Sequence, residues 1–379
     1  MSAQMPIRIG VMLRAVSEKG GVGVYTRNIT AELLALDQRN EYVLFYDSAA
    51  DLGRFGDHPR MTERVVAARS KLLWDQVAIP RACRREGVDV LFHPKFSVPV
   101  VSPCKTAMVL HGAGWFVPDA ARFWSRGQRL YARLAMPLYL RRADAVLAVS
   151  EVTTRLFTSI FRLPEGTVET VHLAPARNFR RIEEAATLQA AKAKYRLPDR
   201  FILTLSGRDR GPRKNIDVIF EAFRRVRREA PCALVVVGRD CDKLRDDFDI
   251  PDAGFWDDVV FPGWVEQIDL PAIFSQAEVF LYPSRWEAFP IPVSEAFACG
   301  TPVITSNVYG LAEVAGDAAI QVDPRDAAAV ASALERVLGD GELRTALAAK
   351  GRARAELFTW DRCAGKTLAI LERLANATS

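Results

Sequence analysis

No stretch of eighteen consecutive apolar residues occurs anywhere in this 379-residue chain, so it holds no candidate membrane-spanning helix. Cysteine is sparse and scattered: the six, at 83, 104, 232, 241, 299 and 363, form no C-x-x-C pair. That removes the spacing of a zinc site and the density of a disulfide framework, and predicts a reduced, cytoplasmic protein. The opening residues, MSAQMPIRIG, lack a basic cluster running into an apolar core and do not read as a secretion signal. Histidine is scarce too, with four in all, which keeps the roster of imidazole candidates short.

What remains has the balance of an ordinary globular protein, 49% hydrophobic and 26% charged. The length exceeds one ordinary core and suits two domains. The net charge of +5 is unevenly placed: residues 1–178 hold 24 Lys and Arg against 16 Asp and Glu, the remainder 27 against 30. A basic first half facing a slightly acidic second half points to an anionic partner for the first half, either a phosphorylated acceptor or an anionic lipid surface. Arginine-rich helices that merely carry a solvated face give the same count.

Short β-branched runs alternate with longer amphipathic ones along the whole chain. Strands are expected at Arg8–Leu13, Tyr42–Tyr46, Val88–Phe92, Thr106–Leu110, Ala145–Val149 and Thr167–His172. After a break come Phe201–Leu205, Ala233–Val237, Val259–Phe261, Val279–Tyr282 and Pro302–Thr305. Helical stretches such as Val24–Asp37, Arg126–Arg141 and Ile216–Glu229 lie between them, the pattern of βαβ units and parallel sheets. The polar, Ala-rich segment from Ala174 to Arg200 reads as a junction. On either side of it, RRADAVLAVSE (141–151) and SQAEVFLYPSRWE (275–287) repeat one arrangement, an acidic residue, a buried strand and a polar turn. Two doubly wound α/β domains facing across a ligand cleft would produce this.

The stretch SEKGGVGVYTRN (17–28) follows the first strand and carries three glycines in four positions. It is not a dinucleotide fingerprint, because a G-x-G-x-x-G frame begun at Gly21 puts Thr26 in the third glycine's place. It is not a nucleoside-triphosphate P-loop either, since no Gly-Lys-Ser/Thr ending follows. It says only that backbone can approach something closely before a helix begins.

More chemistry lies in RWEAFPIPVSEAFACGTPVI (285–304). Glu287 sits in the turn after a strand, and Glu295 follows eight residues on. Pro292 suits the first position of a helix, which would put Glu295 in the first turn beside uncapped amides. Carboxylates there can accept hydrogen bonds from sugar hydroxyls while the amides and helix dipole hold an anion. The plain alternative is a Glu295 that complements the dipole and a solvated Glu287. LSGRDRGPRKN (205–215) places Arg208 and Lys214 six apart around a Gly-Pro turn at a strand end, where two cations can reach one diphosphate. A solvated basic loop would have the same sequence.

Together these motifs resemble glycosyltransferase family 4, the "group 1" set of retaining enzymes with the GT-B fold, over almost the whole chain. GGVGVYTRN resembles the family's first glycine loop, GRDRGPRKN its Arg-Lys phosphate loop, EAFPIPVSEAFACGTPVI its E-x₇-E signature and LAEVAGDAAIQVDP (311–324) the segment after it. The resemblance implies two Rossmann-like domains, at 1–178 for the acceptor and 179–357 for the nucleotide sugar, with a C-terminal helix (358–379) crossing back to the first. It implies that Arg208 and Lys214 grip the donor diphosphate, that Glu295 takes the ribose hydroxyls, and that Glu287 contacts the transferred sugar. Backbone near Trp264 and Val265 would read the base, and Gly20, Gly21 and Val22 would face the diphosphate from the other domain. Pro290 stands where relatives commonly have Gly and cannot donate an N–H, which leaves Phe289, Ile291 or Val293 for the phosphates. His111, at a strand end in VLHGAGWF, resembles the family's active-site histidine, although Gly112 replaces the Asp that many relatives carry next. His93 in LFHPKF is its rival, and Trp115 and Phe116 stack on an acceptor sugar or belong to the core.

The implied activity is retaining transfer of a hexose from a nucleoside-diphosphate sugar to a saccharide or lipid-linked acceptor in cell-envelope or exopolysaccharide synthesis. LLWDQ (72–76) resembles segments of polysaccharide mannosyl- and rhamnosyltransferases, which leans the donor toward GDP-mannose. The leaving diphosphate would take up the acceptor's proton, and His111 would orient the sugar. No metal or other cofactor is expected, since no D-x-D chelate stands in a matching position. SRGQRLYARLAMPLYLRR (125–142), with five arginines and Pro137, either lies on an anionic membrane surface or packs as an ordinary helix. The rival readings are a sugar-nucleotide 2-epimerase of the same fold and a non-catalytic two-domain sugar-binding protein.

Overall fold

A computed structural model describes residues 5–18, 20–208, 211–252 and 254–377. Lys19 of the glycine loop, and Asp209 and Arg210 of the basic loop, lie outside the described residues. The chain divides into two units, Met1–Leu173 with Trp360–Ser379, and Ala174–Thr359.

The first unit holds seven strands: β1 (Arg8–Met12), β2 (Glu41–Tyr46), β3 (Met61–Val65), β4 (Val90–His93), β5 (Lys105–Leu110), β6 (Ala145–Ala148) and β7 (Val168–Thr170). They form one sheet in the order β3-β2-β1-β4-β5-β6-β7, and every pairing is parallel. Parallel neighbours cannot be joined by tight turns, so the connections pass through crossovers and the helices cover both faces. Ile9, Val11 and Met12 of β1 are accordingly all fully buried.

The last helix, Trp360–Asn376, belongs to this unit despite its place in the sequence. It buries Trp360, Cys363, Ala364, Thr367, Ile370 and Leu371, one stripe at helical spacing, and packs on the helix Gly21–Leu36. Ion pairs of Glu372 with Arg39 and of Arg373 with Glu169 hold it, as does Lys366 Nζ, which donates to the Thr170 carbonyl at 2.7 Å.

The second unit holds β8 (Phe201–Leu205), β9 (Ala233–Val237), β10 (Val259–Gly263), β11 (Val279–Tyr282), β12 (Val303–Ser306) and β13 (Ile320–Val322). Their order is β10-β9-β8-β11-β12-β13, again parallel throughout. The helix Ile216–Val226 buries Ile216, Ile219, Phe220, Phe223 and Val226 against this sheet, with Phe255 closing the cluster. Truncating Phe223 to alanine would cost about 3 to 5 kcal/mol.

In each sheet the strand order reverses once, between β1 and β4 and between β8 and β11. At such a point the loops leaving the strands' carboxyl ends diverge, and the crevice between them is where open α/β sheets take ligands.

Candidate active site

At the reversal in the second unit, the segment after β8 ends in a helical turn, Gly211–Lys214, followed by Asn215. Asn215 has φ +64°, in the left-handed region that asparagine tolerates better than most residues, and is fully buried. Its Nδ2 donates to the carbonyls of Pro283 (3.0 Å) and Pro324 (2.5 Å), and its Oδ1 accepts from Arg285 Nε at 2.5 Å. This clamp fixes the two residues before it. Lys214 Nζ and Arg213 each lie 2.6 Å from Glu287 Oε1, and the Tyr282 hydroxyl donates to the same oxygen at 3.0 Å. Lys214 also stands 4.2 Å from the centre of the Tyr282 ring.

Burial alone would push the Glu287 carboxyl up, but Arg213 and Lys214 outweigh it and hold the group below its usual range. Two cations against one carboxylate leave an excess positive charge at the strand ends. Gly310 closes the loop from behind: its amide donates to the Glu287 carbonyl at 3.0 Å, and a Cβ there would stand 2.0 Å from the Ala288 carbonyl oxygen.

Arg208, the other predicted phosphate ligand, is placed differently. Its guanidinium grips Asp247 through two bonds, 2.8 and 2.6 Å, in an exposed pair, so the structure does not bring it to Lys214 and Glu287. Such a pair contributes little and opens readily to a better anion.

The helix after Glu287 begins at Ile291, not Pro292. Glu295 is therefore its fifth residue, in the second turn rather than the first. The residue is 6% exposed and burial pushes its carboxyl up to about 8, so it stands protonated at neutral pH while Glu287 stands ionised. The amides expected to be uncapped are engaged within the turn: Ile291 N–H donates to the Phe289 carbonyl at 3.0 Å, Val293 N–H to that of Pro290 at 2.9 Å. Either must be released to serve an anion. The Phe289 ring packs edge-on to Phe358, with centroids 5.4 Å apart. At the end of β10, Trp264 is 63% exposed with the Arg239 guanidinium 5.9 Å over its ring, whereas Val265 is buried.

The first unit repeats the plan. Loops after β1 and β4 meet in the ion pair of Glu18 with Lys95, 2.5 Å long. The three glycines do separate work. Gly20 takes φ +123°; Gly23 lets Glu18 fold over the helix, since a Cβ there would lie 1.9 Å from its carbonyl oxygen; Gly21 has open space around it. The helix starts at Gly21 with no side chain capping it, and Val22 is half-buried in its first turn. Thr26, in the missing third glycine's place, is buried and donates to the Val22 carbonyl at 2.8 Å.

His111 stands just past β5, its Nε2–H donating to the Pro94 carbonyl at 2.9 Å, with Tyr25 edge-on at 4.9 Å. Burial pushes it down to about 4, so the ring is neutral and its Nδ1 is the acceptor. Gly112, in place of the aspartate that the resemblance leads one to expect, has φ +129°, a conformation that strains any residue with a side chain. The rival His93 is fully buried, with Nδ1 2.6 Å from the Ser97 carbonyl, and does not reach the surface. Trp115 and Phe116 sit in an aromatic cluster with Phe96, Trp124, Phe157 and Phe161.

Sequence reasoning missed Arg213, Tyr282 and Asn215. The signal lay in the adjacency Arg-Lys-Asn: an asparagine directly after two cations is a natural left-handed stop that would aim both at one point.

Two family models match the chain, "Glycosyltransferase Family 4" over residues 19–174 and "Glycosyl transferases group 1" over 189–354. An O-antigen chain mannosyltransferase B of Escherichia coli is 30% identical over 230 residues, 60% of each chain. The chain spans 60% or less of the length of the first curated relatives it matches. Among solved structures, a sucrose-phosphate synthase from Thermosynechococcus elongatus aligns with TM-score 0.76 at 22% identity, covering 98% of this chain and 100% of its own. The Anabaena protein HepE, crystallised with UDP, aligns with TM-score 0.76 at 15% identity over 97% of this chain and 100% of that one. These likenesses establish the fold, GT-B.

Proposed function

The chain belongs to the group 1 glycosyltransferases, and from that premise we propose that it moves a hexose from a nucleoside-diphosphate sugar to a saccharide or lipid-linked acceptor. The observation that carries this is the cluster of Lys214, Arg213, Tyr282 and Glu287 at the strand reversal of the second unit. Its excess positive charge suits a diphosphate. Its carboxylate, already ionised, suits a hydroxyl of the sugar carried with it. The mannosyltransferase relatives favour mannose, which we take to be carried by GDP, and an O-antigen relative favours work on envelope polysaccharide. In this reading a lipid-linked acceptor is met at the inner face of a membrane.

The chemistry is the one the family resemblance implies, and the charges suit it. The bond from the sugar's anomeric carbon to the diphosphate breaks, and the acceptor oxygen bonds to that carbon on the same face, so transfer is retaining. The acceptor proton passes to a leaving diphosphate oxygen. Lys214 and Arg213 stabilise charge as it grows there, and Glu295 takes the ribose hydroxyls. His111, neutral, offers Nδ1 as an acceptor to a sugar hydroxyl. Because side chains supply the positive charge, no divalent metal is required.

A panel of nucleotide sugars, scored by thermal stabilisation and slow hydrolysis, tests the reading. GDP-mannose is expected to give the largest shift, and Lys214→Ala to abolish it. An unchanged shift in that variant removes the diphosphate assignment. Epimerised free donor, formed without acceptor, would replace transfer by 2-epimerisation.

A further inference from the structure

Two cysteines well separated in the chain are brought together in the first unit. Cys83 lies in the helix Ile79–Glu86, which ends at Gly87 in the left-handed region, φ +64°. The Gly87 and Val88 amides both donate to the Cys83 carbonyl, the latter at 3.0 Å, so the chain doubles back past Cys83 and enters β4. β5 runs beside β4, with the Lys105 amide donating to the Asp89 carbonyl at 3.3 Å and Lys105 opposite Val90. Cys104, one residue before β5, is thereby set beside the turn that Cys83 closes. Cys83 is fully buried in a cluster with Trp74, Ile79, Val88 and Leu91, and Cys104 packs half-buried against the same cluster. The two thiols are hydrogen-bonded to each other.

A buried cysteine is ordinarily a small apolar residue and no more. These two differ because each has a sulfur for a partner, and the partnership is uneven. The bond from Cys83 pushes the Cys104 thiol down, toward the thiolate; the Ser102 hydroxyl, 3.6 Å from the same sulfur, adds to this against the cost of burial. Cys83 is pushed up, first by that bond and then by burial. One sulfur is thus a nucleophile near the surface and the other a thiol held behind it, the arrangement of an attacking and a resolving cysteine. Cys232, also half-buried, instead bonds the Ala233 carbonyl at 3.7 Å and is pushed up to about 12 by burial.

We propose that Cys83 and Cys104 are a modification site, an oxidisable dithiol that hydrogen peroxide converts to a reversible intramolecular disulfide. The Cys104 sulfur attacks one oxygen of the peroxide, the O–O bond breaks, and the departing hydroxide takes up the proton that Cys104 gave up, leaving as water. Cys104 is then a sulfenic acid. The Cys83 sulfur attacks the Cys104 sulfur, the S–O bond breaks, and the hydroxyl leaves with the Cys83 proton as a second water. The two thiols lose two electrons and the peroxide gains them; a dithiol reductant restores the pair. The ring so closed, residues 83–104, encloses β4 and the segment after it, with Pro94 that holds His111 and Lys95 that holds Glu18. The inference rests on the thiol pair alone and stands or falls separately from the transfer reading.

Peptide mapping by mass spectrometry tests it, on the folded full chain exposed briefly to hydrogen peroxide and then alkylated in denaturant. The six free thiols are expected to fall by two, the peptides holding Cys83 and Cys104 to appear joined, and dithiothreitol to separate them. Before peroxide, Cys104 should react with a thiolate-selective alkylating agent about tenfold faster than Cys232. Cys83→Ser is expected to leave a Cys104 sulfenic acid that dimedone labels, and Cys104→Ser to leave Cys83 unmodified at the dose that closes the parent. The oxidised chain should melt no lower than the reduced one, since thiols already in contact join without moving the backbone. Peptides that stay separate overturn the proposal, as does either cysteine joined to a different one or to a second chain. So do a Cys104→Ser variant whose Cys83 oxidises at the parent rate and an oxidised chain that melts lower. The mapping of the parent decides the pairing even where a serine variant fails to fold.

Discussion

Glu295 gives the sharpest prediction, because its state in the folded chain is opposite to its state in the unfolded one at neutral pH. Burial lifts its carboxyl from an ordinary value of 4.5 to about 8. Below the unfolded value both states are protonated and the group costs nothing. Between the two values the unfolded chain releases a proton that the folded chain retains, so stability falls as pH rises, by about 1.4 kcal/mol per pH unit. Above about 8 the loss is complete, and across the window it is on the order of 4 to 5 kcal/mol. Glu295→Gln keeps the shape and removes the proton. Denaturant unfolding at pH 5, 7 and 9 should show the variant near parity at pH 5 and more stable by several kcal/mol at pH 9, with an unchanged m-value. A variant equal to or less stable than the parent at pH 9 refutes the reasoning. The same group shapes binding: if ribose hydroxyls donate to the carboxylate, about a tenth of the chains are ready at pH 7, and apparent donor affinity should improve about tenfold by pH 9. That trend should vanish in Glu295→Gln.

Three further outcomes follow from the strand-reversal cluster. Glu287→Gln leaves Lys214 and Arg213 uncompensated; the free protein should lose about 2 to 4 kcal/mol by denaturant titration, nucleotide affinity should hold or rise, and kcat should fall. Full turnover in this variant would contradict the sugar contact. Gly310→Ala drives a methyl into backbone and must shift the Glu287–Ala288 loop, so kcat is expected to drop at least tenfold with circular dichroism unchanged; a parent-like rate would show that the loop's position does not matter. Transfer should proceed within twofold of its normal rate after chelation of divalent metals, and a tenfold loss restored by added metal would show that side-chain cations are not sufficient.

Much of the fold was legible because buried parallel strands are short and uniformly apolar. Phe201–Leu205, Ala233–Val237 and Val279–Tyr282 stand where the pattern placed them. The two strands it missed are both at sheet edges. Met61–Val65 carries Thr, Glu and Arg and is largely uncovered, and Ile320–Val322 is three residues long with a glutamine at its centre. Edge strands face water on one side, so they lack the apolar run by which central strands are recognised. The expected boundaries at 178 and 357 compare with a division after Leu173 and a return at Trp360.

The site was legible in kind and less so in detail. Sequence spacing pairs Glu287 with Glu295 and Lys214 with Arg208, whereas the structure joins Glu287 to Lys214. Arg213 and Tyr282 were missed because which side chain turns inward depends on the left-handed step at Asn215, which spacing does not reveal. Arg208 looked equivalent to Lys214 in sequence, yet Asp247, thirty-nine residues away, takes it to the surface. Distant partners of this kind leave no local mark.

The place of the last helix has a consequence for synthesis. Residues 174–359 emerge from the ribosome as one uninterrupted unit, but the earlier one stays unfinished until Trp360–Asn376 arrives to cover the helix that carries the glycine loop. The usual N-to-C order of maturation is thereby inverted. The unit that opens the chain is the one completed last, with Tyr25 uncovered until Trp360 packs against it.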